Sequence, residues 1–118
     1  MIGEKDLEEI IGRKVSNVLI NHWSVTLTFD ENGWILIQCS FALHTAKNVF
    51  CGTTTLPESA TSLSDCVGKS IIDACYDEKK VLTLFFENKE CVRFIPEKDG
   101  LESYVLHSRQ GIVPVIDF

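Results

Sequence analysis

Positive charge, long apolar runs and the short signatures of familiar chemistries are all scarce in this chain of 118 residues. Eleven Lys and Arg stand against seventeen Asp and Glu, a formal net charge of −6. Affinity for phosphate backbones needs a clustered positive field, so nucleic acid is not an expected partner. No stretch approaches the roughly 20 consecutive apolar residues of a membrane-spanning helix. The segment from Met1 to Lys14 carries acidic residues where a secretory signal needs a basic start and an apolar run. It reads as the mature start of a cytoplasmic protein. No G-x-G-x-x-G or Walker-type loop is present to bind a nucleotide, and no G-x-S-x-G elbow to support Ser-His-Asp catalysis.

Cysteine is present in a form that excludes more than it suggests. The five residues Cys39, Cys51, Cys66, Cys75 and Cys91 are odd in number, and none stands at CxxC spacing. Without a secretory signal a disulfide framework is not expected. In a reducing compartment such residues act as small buried hydrophobes. Zinc sites need His and Cys at short spacing. His22, His44 and His107 lack it, with only His44 and Cys51 moderately close and six residues between them. No metal or cofactor is expected, and no enzymatic activity. A Cys–His nucleophile pair would draw first on Cys51, which precedes Gly52 in an expected loop.

The apolar share of 45% is that of a globular domain, and the length suits one domain rather than two. Leu7, Ile10 and Ile11 among Glu and Lys predict a short amphipathic helix that Gly12 ends. Lys14 to Ile20 predicts a strand. From Trp23 to Phe29, Val25, Leu27 and Phe29 alternate with Ser24, Thr26 and Thr28, the pattern of a half-buried antiparallel strand. Asp30-Glu31-Asn32-Gly33 has turn chemistry, and Trp34 to Phe41 is the return.

The same order recurs. Leu63 to Gly68 predicts a helical turn ending in Gly, followed by strands at Ser70–Tyr76, Val81–Phe86 and Cys91–Ile95. Leu7 matches Leu63 and Gly12 matches Gly68 at an offset of 56; Thr26, Leu27 and Phe29 match Thr83, Leu84 and Phe86 at 57. Beyond Pro96, strands are expected at Ser103–His107 and Ile112–Ile116, with a turn at Ser108-Arg109-Gln110-Gly111. Pro114 points to an edge position.

The expected architecture is therefore a single, mainly β domain over residues 1–118 with minor α content. It is an antiparallel β-sandwich or open barrel of two pseudo-repeated units, about 3–41 and 61–95, each preceded by a short helix. A connector at 42–60, with a short strand at Asn48–Cys51, joins them, and a C-terminal hairpin at 101–118 completes the chain.

The acidity is even, −3 in each half, and lies mainly in turns: Asp30-Glu31, Asp77-Glu78, Glu87 and Glu90, Glu97 and Asp99. Aligning the halves puts Asp30-Glu31 and Glu87 at equivalent hairpin tips, where they would form an acidic rim. The aromatics mostly fall at core phase; Trp23, beside His22, is the candidate for an exposed contact anchor. His22, Trp23, Asp30, Glu31, Asp77, Glu78 and Glu87 are the candidate partner-binding residues, and the partner they suit is a basic protein.

Leu63 and Gly68, then Leu82-Thr83-Leu84-Phe85-Phe86-Glu87-Asn88, then Leu101-Glu102-Ser103-Tyr104 resemble a family of small uncharacterised bacterial β domains. The match spans roughly 61–117, and the chain departs from it at Glu87-Asn88-Lys89, where an Asp-Gly turn is usual. The resemblance speaks to fold. By size, acidity and absence of a catalytic signature, the chain is also similar to immunity proteins of polymorphic and contact-dependent toxin systems. That class binds a cognate toxin domain, often a basic nuclease, and neutralises it. Two alternatives are a small-molecule-binding or enzymatic β domain, with a pocket between the sheets using Cys51, His44 or His107, and an assembly domain pairing through its edge strands.

Overall fold

The computed structural model describes residues 2–109 and 111–118. Gln110, within the expected turn at 108–111, and Met1, at the head of the expected N-terminal segment, lie outside the described residues. Helix α1 (Glu4–Ile10) is followed by β1 (Val15–Ile20), β2 (Val25–Phe29), β3 (Trp34–Ile37), β4 (Ser40–His44) and β5 (Val49–Thr53). A short helix α2 (Pro57–Ala60) runs into a 3-10 turn at Thr61–Cys66. Then come β6 (Ile71–Tyr76), β7 (Leu82–Phe86), β8 (Cys91–Ile95), β9 (Glu102–Ser108) and β10 (Gly111–Ile116). Two antiparallel five-stranded sheets pack as a sandwich, one ordered β1-β2-β3-β9-β10 and the other β5-β4-β8-β7-β6.

The sheet orders reveal a reciprocal exchange. The first unit supplies β1, β2 and β3 to one sheet, but its β4–β5 hairpin pairs with β8 of the other. The second unit supplies β6, β7 and β8, and its β9–β10 hairpin returns to pair with β3. A single sheet leaves its apolar face uncovered, so each unit completes and covers the other. Pro114 sits in β10, an edge strand, where its missing N–H costs no ladder bond.

Backbone bonds at the junction repeat under the same shift. Gly12 N donates to Ile71 O (2.7 Å) and Gly68 N to Val15 O (2.8 Å); Val15 N donates to Lys69 O (2.9 Å) and Ile71 N to Arg13 O (2.8 Å). Each bond maps onto its mate by adding or subtracting 56, as a pseudo-twofold relation requires. Gly12 (φ 91°) and Gly68 (φ 86°) both end their helices in the left-handed region, which favours glycine. Both first strands carry a bulge, between Val15 and Asn17 and between Ile71 and Asp73.

The duplication extends beyond the 56 and 57 offsets. Trp34 faces His107 across β3 and β9, while Cys91, its counterpart at 57, faces His44 across β8 and β4. His44 and His107 are thus equivalent at an offset of 63, and Ser40-Phe41-Ala42-Leu43-His44 corresponds to Ser103-Tyr104-Val105-Leu106-His107. The step from 57 to 63 means that the second unit has six more residues between its third and fourth strands.

Two readings of the sequence change accordingly. Trp34–Phe41 is not one strand, since the chain turns from one sheet to the other at Gln38-Cys39. Residues 42–60 are not a mere connector; they hold the end of β4, all of β5 and α2. Strands that switch sheets make the corners of such sandwiches. The inward alternation Ile35, Ile37, Cys39, Phe41, Leu43 runs through the corner without a slip, so periodicity carries no mark of it.

The core lies between the sheets. Val25, Leu27, Ile35, Ile37 and Leu106 face Phe41, Leu43, Leu82, Leu84, Val92 and Phe94, all at most 2% exposed. Ile10 from α1 and Leu63 and Cys66 from the 3-10 turn join the same cluster. Phe29, Phe86 and Tyr104 are buried as the aromatic phase predicts, whereas Trp34 and Phe85 alternate outward and are only half-buried.

Candidate functional site

A cleft of about 650 Å³ opens at one end of the first sheet and is lined by Trp23, Gln38, Thr55, Asp99, Leu101 and Glu102. Three separate segments build it. The β1–β2 turn is closed by Asn21 N donating to Ser24 O (2.8 Å) and presents Trp23, 65% exposed, with the His22 ring 4.6 Å from its own. The turn after β5 is held at the corner by Thr54 N donating to Cys39 O (3.3 Å), which sets Thr55 on the cleft wall. The third segment, 96–101, includes the extra residues of the second unit. Glu97 Oε1 accepts from Ser40 N (3.1 Å) and Ser40 Oγ (2.7 Å), and Glu97 N donates to Ser103 Oγ (3.0 Å). Gly100 N donates to Asp117 O (2.8 Å) and Leu101 N to Asp99 Oδ1 (2.9 Å). These bonds fix the segment so that Asp99 and Leu101, the latter 66% exposed, face Trp23 across the opening.

The cleft combines apolar surface with negative charge. Among the described residues neither Asp99 nor Glu102 makes an ion pair. An indole face beside carboxylates that make no ion pair suits a guanidinium or ammonium group, which gains cation–π and charge-assisted hydrogen bonds together.

Pseudo-symmetry supplies an internal control. The equivalent end of the second sheet holds a hollow of about 350 Å³ between the β6–β7 turn, the end of β8 and the segment after β10. It is lined by Glu78 and Asp117 but also by Lys79 and Lys98. Lys80 adds an ion pair to Asp117 (3.8 Å) and donates to Ile116 O (2.7 Å). Where the first unit places a tryptophan, the second places lysines. The same scaffold position is aromatic and acidic in one half and charge-balanced in the other.

The remaining candidates are scattered. Asp30 Oδ1 accepts from Lys14 N (2.9 Å), and Arg13 Nη1 donates to the carbonyls of Asp30 (3.0 Å) and Glu31 (2.9 Å) and pairs with the Glu31 carboxylate (3.6 Å). Glu87 lines a hollow of about 270 Å³ with Lys14 and Lys69, and Lys69 pairs with Glu90 (3.2 Å). The expected acidic rim is thus interleaved with basic groups. Asp77 Oδ1 accepts from Lys79 N (2.9 Å) and Val81 N (3.0 Å), shaping its own turn, and Glu78 lies in the charge-balanced hollow. Of the seven candidates, Trp23 lines the acidic cleft and His22 lies beside it, its ring tilted by 52°. The sequence counts Asp99 among the turn acids but does not join it, Leu101 or Glu102 to Trp23; their signal was the change of offset, visible only once the two S-x-x-L-H segments are aligned.

The groups considered for catalysis are dispersed. His107 stacks on Trp34 (5.0 Å, 17°) on the outer face of the first sheet. His44 lies opposite Cys91 on the outer face of the second. Cys51 is exposed on edge strand β5. Gly52 answers a packing need rather than a flexible loop: a Cβ there would collide with Ser59 Oγ and come within 2.9 Å of Phe41 Cζ. Burial pushes the Cys39 and Cys66 thiols up to about 12, and it also raises Cys91. None is therefore activated as a thiolate. Among the described residues no three His, Cys, Asp or Glu are grouped to hold a metal ion.

No protein-family model, no curated protein and no solved structure matches this chain.

Proposed function

We propose that this chain is a protein-binding protein of the immunity class, which neutralises a cognate bacterial toxin domain by seating a basic side chain of that partner in the Trp23–Asp99–Glu102 cleft. The observation that carries the reading is the asymmetry of two equivalent clefts: one sets an exposed tryptophan beside Asp99 and Glu102 with no lysine or arginine in its lining, and the other is lined by Lys79 and Lys98. A scaffold that needs only to fold has no use for that difference. A net charge of −6 steers a basic partner toward the protein, and the indole supplies a desolvated anchor. The enzymatic alternative has less support, because Cys51, His44 and His107 stand outside a filled interior.

The reading requires a toxin domain encoded beside this protein, and growth protection against that domain and direct binding to it test the proposal; a neighbourhood without one counts against it. The expected result is protection, with affinity falling as salt rises. Trp23→Ala should weaken binding by about 30-fold, the scale of an aromatic hot spot. Absence of binding to that toxin overturns the immunity role. Binding that Trp23→Ala and Asp99→Asn with Glu102→Gln leave untouched overturns the cleft.

A further inference from the structure

The outer face of the first sheet is unlike the rest of the surface. Cross-strand pairing sets Leu19, Thr26, Leu36, Val105 and Pro114 in one row, and Asn17, Thr28, Trp34, His107 and Ile112 in the next. Among the described residues of these five strands, no Asp, Glu, Lys or Arg stands on this face apart from Glu102 at the cleft end of β9. Leu19 (52%) and Ile112 (62%) are among its most exposed large side chains. The outer face of the second sheet, by contrast, carries Asp73 and Arg93.

We infer that this uncharged face joins two copies of the chain, face to face, about a twofold axis. Charge selects the occupant. Each copy carries −6, so contact through the acidic turns brings like charges together. This face brings none. Its chemistry offers a basic partner nothing to pair with, which separates it from the Trp23 cleft. An isologous contact needs a self-complementary patch, and two uncharged apolar faces satisfy that requirement. Pro114 on β10 disfavours growth of the sheet at that edge. With strands about 4.8 Å apart and about 3.4 Å per residue, the face spans roughly 24 by 17 Å. That is about 400 Å² in projection per copy, and near 1,000 Å² for the pair once side-chain relief is included, the low end of specific interfaces. A weak, concentration-dependent dimer follows.

Sedimentation velocity on the intact protein, from about 10 μM to about 1 mM, covers the range of such a contact. The expected result is a shift from monomer to dimer that strengthens with salt, because screening relieves repulsion between the acidic bodies. This is the opposite sign to that expected for a basic partner at the cleft. Leu19→Glu with Ile112→Glu alters two exposed positions and should lower the association constant by about 10-fold or more through like-charge contact. Circular dichroism and a urea midpoint check that this variant stays folded. A monomer throughout the concentration range overturns the inference, as does a folded double variant that dimerises like the parent.

Discussion

Removing the hydroxyl of Tyr104 tests how the second unit is locked. Tyr104 is fully buried, and its hydroxyl donates to Lys80 O at 2.6 Å, tying β9 to the β6–β7 turn 24 residues earlier. Burial pushes its phenol well above the ordinary range, so the proton stays in that bond at neutral pH. The equivalent residue of the first unit is Phe41, also buried but with no hydroxyl to give; the local closing bonds of the two turns, Asn21 N to Ser24 O and Asp77 N to Val81 O, are otherwise alike. Tyr104→Phe keeps the ring and leaves a partly buried carbonyl without its donor, at a cost of about 1.5 kcal/mol. At about 4 °C per kcal/mol for a domain of this size, Tm falls by about 6 °C. Urea unfolding gives the free energy, and an unchanged m-value shows that the same surface is exposed. A loss below about 0.5 kcal/mol would mean that water satisfies the Lys80 carbonyl equally well, refuting the tether.

Three further outcomes follow from burial, exposure and close approach. The Cys39 and Cys66 thiols, at about 12 in the fold, keep their protons where the unfolded chain, near 9, has lost them. Their stabilisation is complete below pH 9 and declines as pH rises toward 12, by about 1.4 kcal/mol per unit for each thiol. Urea midpoints at rising pH measure it. A maleimide should label exposed Cys51 and Cys75 in the native protein, and Cys39 and Cys66 only after unfolding. Gly52→Ala should destabilise by about 2 kcal/mol, because the new methyl meets Ser59 and Phe41, whereas Gly68→Ala, in open space at φ 86°, should cost about 1 kcal/mol.

Much of the fold is legible without coordinates because strand alternation, turn chemistry and helix-ending glycines are local. Val25-Thr26-Leu27-Thr28-Phe29 can bury one face only as a strand, and Asp30 to Gly33 can then reverse it; Glu31, Asn32 and Gly33 all take positive φ there. Pro114 excludes its strand from a sheet centre, and β10 is an edge. The match of Leu27 with Leu84 records a duplication directly.

The partners of those strands were decided only by tertiary structure. Continuous alternation from Ile35 through Leu43 fits a single strand as well as one that turns a corner, since each keeps the same side chains inward. Only the pairing of β4 with β8 and β9 with β3 shows the exchange of hairpins and, through it, the equivalence of His44 and His107. The candidate site is long-range for the same reason. Trp23 was visible as an aromatic in a turn, but Asp99 and Glu102 reach it only because β9 lies beside β3 and the inserted segment before it is fastened to Ser40 and Asp117. Charge is a property of composition, and so the acidity of this protein was plain from its sequence. Which carboxylates remain unpaired depends on where Arg13, Lys14, Lys69 and Lys80 come to rest, and that is set by packing between residues far apart in the chain.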